Sequence, residues 1–295
     1  MNADGRHAAS DRPAVHDRRG ELLAEVRDAA ATRRPAGLLE QWADDSLVAV
    51  SPVDLRTSVA LDAIALDAAS GYDALLLSPV APLGSTSVLA PTSQDRVLST
   101  IRPVEVVSDP TNVLALEAAR RLRAVPGEEV RLCTVHQTLR MQAAPAGRAR
   151  TRHFRMFAMA DAGRGRADDA FEVDAVLGQL AGYRGLLDTA ARAGLGAGTA
   201  PRAIVRVDGP REVLGDRIAQ AVVARWPDVE LVREPLETRY YDGLRVGFGV
   251  HAPEGGFVEL VDLGRFDWAA QLTGDRRNRF VASAIGIQLI PLLLA

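Results

Sequence analysis

Residues 239–248 read RYYDGLRVGF. Two adjacent tyrosines, Tyr240 and Tyr241, stand with Asp242 and Gly243 before a strand-like run. An aromatic ring with a polar tip suits the wall of a small-molecule pocket, and it suits the edge of a core equally well. A second cluster is arginine-rich. Arg140 lies near the end of one strand-like run, and Arg148, Arg150, Arg152 and Arg155 follow it. Guanidinium groups make charge-assisted forks to phosphate oxygens, so Arg140, Arg148 and Arg155 can clamp an anion. The competing reading is a solvated turn in a chain whose basic residues are all arginine. The sequence contains no lysine, which excludes a Schiff-base lysine and a phosphate-loop lysine. The single cysteine, Cys133, excludes an internal disulfide and a cysteine-built zinc site. His7, His16, His136, His153 and His251 are scattered without metal-ligand spacing, and His136, inside a strand-like run, reads as a core histidine. Neither a metal nor a cofactor is implied.

These residues need elements to position them. The first 20 residues are polar and read as a disordered tail, without the apolar stretch of a secretory signal. Apolar spacing predicts helices over 21–45 and 54–70. GYDALLLSPV reads as a strand running into Pro79. Asp109-Pro110 marks a turn, with a helix beginning near Thr111. Residues 130–142 and 154–163 read as an antiparallel hairpin with a basic tip at 143–153. A helix ending at Gly194 follows, then a strand, a helix and a short extended piece. Two strand-like runs joined by PEGG come next. The terminal FVASAIGIQLIPLLLA is apolar but too short for a membrane span, and reads as a buried helix. The class is α+β: an antiparallel sheet flanked by helices, with a small α/β insertion at about 195–235. With 295 residues, 25% charged and a formal charge of -3, the chain as a whole lacks the charge of a polyanion binder. It is expected in the cytoplasm, with no membrane association.

The order of these pieces carries a resemblance. GYDALLLSPV resembles motif 1 of the class II aminoacyl-tRNA synthetases, with Pro79 at that motif's proline. VVSDPTNVLALEAARRL resembles the segment that the histidyl enzymes write as LRPEGT, placing Asp109 and Thr111 at its acid and threonine. RLCTVHQTLRMQ with RARTRHFRMF resembles motif 2, with Arg140 as its ATP-contacting arginine. RYYDGLRVGF resembles the histidine-binding loop DYYTG, DLGRFDWAAQL resembles GGRYDDL, and ASAIGIQLI resembles the glycine-rich helix of motif 3. From Gly71 onward, about three-quarters of the chain, the sequence is therefore similar to the core of histidyl-tRNA synthetase. It is equally similar to that enzyme's paralogue, the regulatory subunit of ATP phosphoribosyltransferase.

The resemblance implies a homodimer formed through motif 1 and an amino-acid-like ligand held by Asp109, Thr111, Arg140, Tyr240 and Tyr241. The departures imply loss of adenylation. Leu289 stands for the motif 3 arginine and Gln142 for the motif 2 glutamate. Leu236 stands for the arginine before the tyrosine loop and Met159 for a ligand-contacting glutamine. Six residues after Leu289 leave no space for an anticodon-binding domain. The implied function is a non-catalytic regulatory subunit of histidine biosynthesis that partners a short-form ATP phosphoribosyltransferase. The alternatives are a stand-alone amino-acid-activating ligase with altered nucleotide contacts, or a structural dimer with a dead pocket.

Overall fold

The computed structural model describes residues 15–142 and 151–295, with side chains from residue 18 onward. Three helices lead in: α1 (Val15–Ala31), α2 (Pro35–Asp44) and α3 (Leu55–Ala68). The helix expected over 21–45 is thus two helices. Pro35 takes the first turn of α2 and forces Arg34 out of helical geometry, to φ -110 and ψ 147. Residues 15–20, expected in a disordered tail, belong to α1; residues 1–14 lie outside the described residues.

Short elements follow: β1 (Asp73–Ala74), β2 (Val80–Pro82), α4 (Ser85–Leu89) and β3 (Val104–Val106). The strand expected over GYDALLLSPV is cut to two paired residues, and Leu76 points into solvent, 99% exposed. Then come α5 (Pro110–Ala124), β4 (Val130–Leu139), β5 (His153–Arg164), α6 (Ala170–Arg192) and β6 (Thr199–Val207). The chain continues through α7 (Glu212–Arg225), β7 (Glu230–Pro235), β8 (Leu244–His251), β9 (Phe257–Phe266), α8 (Trp268–Thr273), β10 (Asn278–Gly286) and α9 (Leu289–Leu293).

Eight strands form one sheet in the order β1-β4-β5-β10-β9-β8-β6-β7, and β2 pairs with β3 in a separate ribbon. All neighbours in the large sheet are antiparallel except β1 with β4 and β6 with β7. The α/β stretch expected near 195–235 is β6-α7-β7, a parallel crossover that extends this same sheet. The expected α+β class holds.

Strand side chains alternate between the two faces. One face is covered by α3, α6 and α7 over a core that includes Leu61, Phe157, Met159, Leu180, Tyr183, Ile218 and Val281. Large side chains of this kind each contribute about 1.5–3 kcal/mol of transfer free energy when fully buried. On the other face, α5 and α8 cover β4, β5 and β10 through Leu114, Ala118, Trp268 and Phe280. Beyond them, β9 and β8 present the charged Asp262, Glu259 and Arg245 on that face.

The terminal stretch differs most from expectation. Residues 278–286 are not a helix but the central strand β10, between β5 and β9. Phe280 and Ala282 join one core, and Val281 and Ile285 join the other. A strand covered on both faces carries apolar residues on both, here Phe280 to Ile285 apart from Ser283, so its sequence lacks the alternation that separates it from a buried helix.

Candidate functional site

Asp109 is the N-cap of α5, and Pro110 supplies the first helical position. One carboxylate oxygen of Asp109 accepts from the Thr111 amide at 3.0 Å and from the Thr111 hydroxyl at 2.7 Å. The other oxygen lies 3.9 Å from Nη2 of Arg140. Arg140 follows directly after β4. Its amide donates to the Arg152 carbonyl at 2.8 Å and its Nε to the Ser108 carbonyl at 3.2 Å. Its guanidinium lies 5.2 Å from the Phe154 ring centroid. Asp109 therefore both caps its helix and faces an arginine.

The tyrosine loop enters from the opposite side. Tyr240 and Tyr241 meet edge to face, 4.9 Å between centroids. Tyr240 also packs edge-on to Phe266 at 5.6 Å and to Trp268 at 6.3 Å. The Tyr241 hydroxyl donates to Oδ2 of Asp262 at 2.6 Å. Burial and the negative charge of Asp109 push the Tyr240 phenol well above its ordinary value, with Arg140 opposing; burial and Asp262 do the same to Tyr241. Both tyrosines are neutral donors at physiological pH.

The loop is anchored from beneath. The Asp242 amide donates to the Arg265 carbonyl at 2.8 Å, and Arg265 Nη1 returns a bond to the Asp242 carbonyl at 3.0 Å and another to its carboxylate. Gly243 turns the chain into β8 at φ +78, a left-handed conformation that favours glycine.

Asp109, Thr111, Arg140, Tyr240 and Tyr241 all line one cavity of about 850 Å³. Gln142 and Leu289 line it too. Three residues that the sequence singled out do not. Arg155 donates to the Asp62 carboxylate of α3 from both Nε, at 3.1 Å, and Nη2. It sits at an odd position of β5, on the helix-covered face, whereas Phe154 and Met156 reach the cavity. Met159 lies on that same face for the same reason of parity. It is fully buried against Gly182 of α6, and Met156 is the methionine of that strand on the cavity wall. Leu236 also lies outside the lining, and Thr238 is the residue of its segment that contributes. Arg148 falls outside the described residues. His136 is buried as expected, but its Nε2 has no hydrogen-bond partner among the described residues.

The lining also includes Arg152, a member of the arginine cluster, and Arg96, Arg245 and Asp262, which sequence reasoning did not select. Arg245 and Asp262 had a signal in the pattern: a charged residue in each of two consecutive apolar strands, β8 and β9. Their pairing, Arg245 Nε to Asp262 Oδ1 at 2.9 Å, needs the register of the sheet.

This eight-stranded sheet, with its flanking helices, is the fold of the class II aminoacyl-tRNA synthetase core. Solved structures of the histidyl branch superpose on it at low sequence identity. An ATP phosphoribosyltransferase regulatory subunit/histidyl-tRNA synthetase from Bacillus halodurans matches with a TM-score of 0.62 and 12% identity, over 84% of this chain and 82% of that one. A histidine–tRNA ligase subunit from Alicyclobacillus acidocaldarius matches with a TM-score of 0.60 and 15% identity, over 88% and 96%. Apo histidyl-tRNA synthetase from S. aureus matches with a TM-score of 0.59 and 12% identity, over 84% and 68%. No protein-family model matches the sequence, and no curated protein matches it. At such identities the likeness establishes the fold. Among the described residues, no helix is long and apolar enough to cross a membrane, and no cluster of three metal-ligating side chains occurs.

Proposed function

We propose that this protein is a non-catalytic, ligand-binding relative of the class II synthetases, acting as a regulatory subunit in the manner of the ATP phosphoribosyltransferase regulator. The observation that carries the reading is Leu289. It lines the cavity beside Leu292, at the position where the resemblance puts the motif 3 arginine. Leucine cannot neutralise the negative charge on the pyrophosphate that leaves when an adenylate forms. Loss of one such electrostatic clamp costs about 3–4 kcal/mol, or about two to three orders of magnitude in rate. Gln142 in place of the motif 2 glutamate acts in the same direction.

In this reading Asp109, Thr111, Arg140, Tyr240 and Tyr241 hold a small amino-acid-like molecule. The chain works as a homodimer paired through residues 71–82, and its partner is a short-form ATP phosphoribosyltransferase catalytic subunit. The exposed Leu76 and Val88 supply apolar surface suited to a two-fold contact. The test is ATP–pyrophosphate exchange with each of the proteinogenic amino acids. No exchange above the enzyme-free rate is expected. Robust exchange with any amino acid would overturn the reading in favour of an activating ligase, a result that the cavity arginines would then explain.

A further inference from the structure

The cavity is electrically polar from end to end. At one end three arginines are tied together through their backbones. The Arg140 amide donates to the Arg152 carbonyl, Arg152 Nη1 donates to the Met141 carbonyl at 3.3 Å, and the Met141 amide donates to the Arg96 carbonyl at 3.1 Å. Asp109, at 3.9 Å from Arg140, is the facing carboxylate. The buried Nε of Arg152 has no hydrogen-bond partner among the described residues. A buried guanidinium nitrogen without an acceptor is costly, so this end calls for an anion.

The other end has the opposite balance. Asp262 accepts from the Tyr241 hydroxyl on one oxygen and from Arg245 Nε on the other. Arg245, which also lines the cavity, neutralises it only in part, because its Nη2 is shared with Glu259 at 2.8 Å. Glu259 is held in turn by Arg206, which is paired with Glu234. The connected network is thus three carboxylates against two guanidiniums. Its cavity-facing terminus is Asp262, whose side chain is 49% exposed although it sits on a strand flanked on both sides. Tyr240 lies between the two ends, within electrostatic reach of Asp109, Arg140 and Asp262.

We propose that the cavity selects a ligand with an anionic group for the Arg96–Arg140–Arg152 end and, beyond any α-amine, a cationic nitrogen for Asp262, so that Asp262 sets specificity. The inference rests on the ligand-pocket reading above and adds the ligand class. An amine donates to Asp262 and relieves the network's excess negative charge; a carboxylate in the same place meets like charge. The anion can be a carboxylate or a phosphate, since a guanidinium fork accepts either.

Calorimetric titration of the full chain tests this with L-lysine, L-norleucine and L-glutamate, which share an α-amino acid head and differ at the far end. Lysine should bind about tenfold or more tighter than either of the others, a modest requirement for one charge contact in a partly enclosed site. Asp262→Asn should abolish that ratio and raise the relative affinity of glutamate, and Asp262→Glu should restore it. A second arm uses β-alanine, O-phosphoethanolamine and ethanolamine. The first two should outbind ethanolamine, and the tighter of them identifies the anion. If ethanolamine binds as well as both, the anion assignment is wrong. If norleucine or glutamate matches lysine in the unaltered protein, the polarity inference is wrong while the pocket reading stands. If none of the six probes binds, the pocket reading fails and this inference fails with it.

Discussion

Tyr241 can lie flat against the sheet only because Gly264 has no side chain. A methyl group there would stand 2.1 Å from Cδ1 of the ring, a distance that real Cβ atoms do not adopt. Tyr240 and Tyr241 were legible as chemistry from their adjacency, and Asp109 from its place before a proline. Arg152 was legible only as one of an arginine cluster and Arg96 not at all, because an arginine in a loop reads as solvated until the chain folds it against Met141. Arg155 and Met159 lie off the cavity because one position along a strand exchanges the faces of the sheet. His136 offers a titration test. Burial, aided by the positive charge of Arg155, lowers its pKa below the ordinary histidine value. The unfolded chain therefore takes up a proton before the folded one does. The stability held by neutral His136 is complete above about pH 6.5 and is lost as the pH falls through the lower, folded value. Urea midpoints at about pH 7.5 and about pH 5 should differ more in the unaltered protein than in His136→Gln. An equal drop in both would remove His136 as the cause.

The elements around the tyrosine loop are joined by one charge network. Arg265 of β9 reaches Asp242 in the loop and, through Nε at 3.2 Å, Glu172 in the first turn of α6. Arg279 of β10 meets the same Glu172 oxygen at 3.1 Å. Glu172 and Arg265 side chains are only 4% and 7% exposed, so water cannot substitute for either. Glu172→Ala should leave the buried Nε of Arg265 without an acceptor, Asp242 still holding Nη1, and destabilise the protein by about 1–3 kcal/mol. A loss under about 1 kcal/mol in urea unfolding would mean that Asp242 alone satisfies Arg265. The β4–β5 hairpin and the helix–strand alternation of 170–235 were legible because their periodicities are clean. β10 was not, because it is buried on both sides. The short β1 was over-read because LLL looks like a strand, whereas Leu76 has nothing to pack on within the chain.

At the scale of the whole molecule, apolar surface remains uncovered. Leu39, Trp42 and Leu55 are exposed at the helical N-terminal side, as are Leu76 and Val88 near the motif 1 segment. A fully exposed leucine contributes almost nothing to the fold of a single chain, so Leu76→Asp should change stability by no more than about 0.5 kcal/mol. It should nevertheless shift a micromolar sample from dimer to monomer in light scattering, because a buried charge would then face its own copy across the two-fold axis. An unaltered protein that scatters as a monomer would sink both the contact and the regulatory assembly built on it.

The position of β10 also constrains when this sheet can exist. Until residues 278–286 emerge from the ribosome, the β1-β4-β5 strands and the β9-β8-β6-β7 strands share no ladder of hydrogen bonds. Each would present a long open edge, at β5 and at β9, to any other nascent chain nearby. The two halves carry pairings of high sequence separation, which are slow to close. Because β5 ends at Arg164 and β9 only at Phe266, it is the β5 edge that waits through most of the second half of synthesis for β10, and there that holding chaperones matter most.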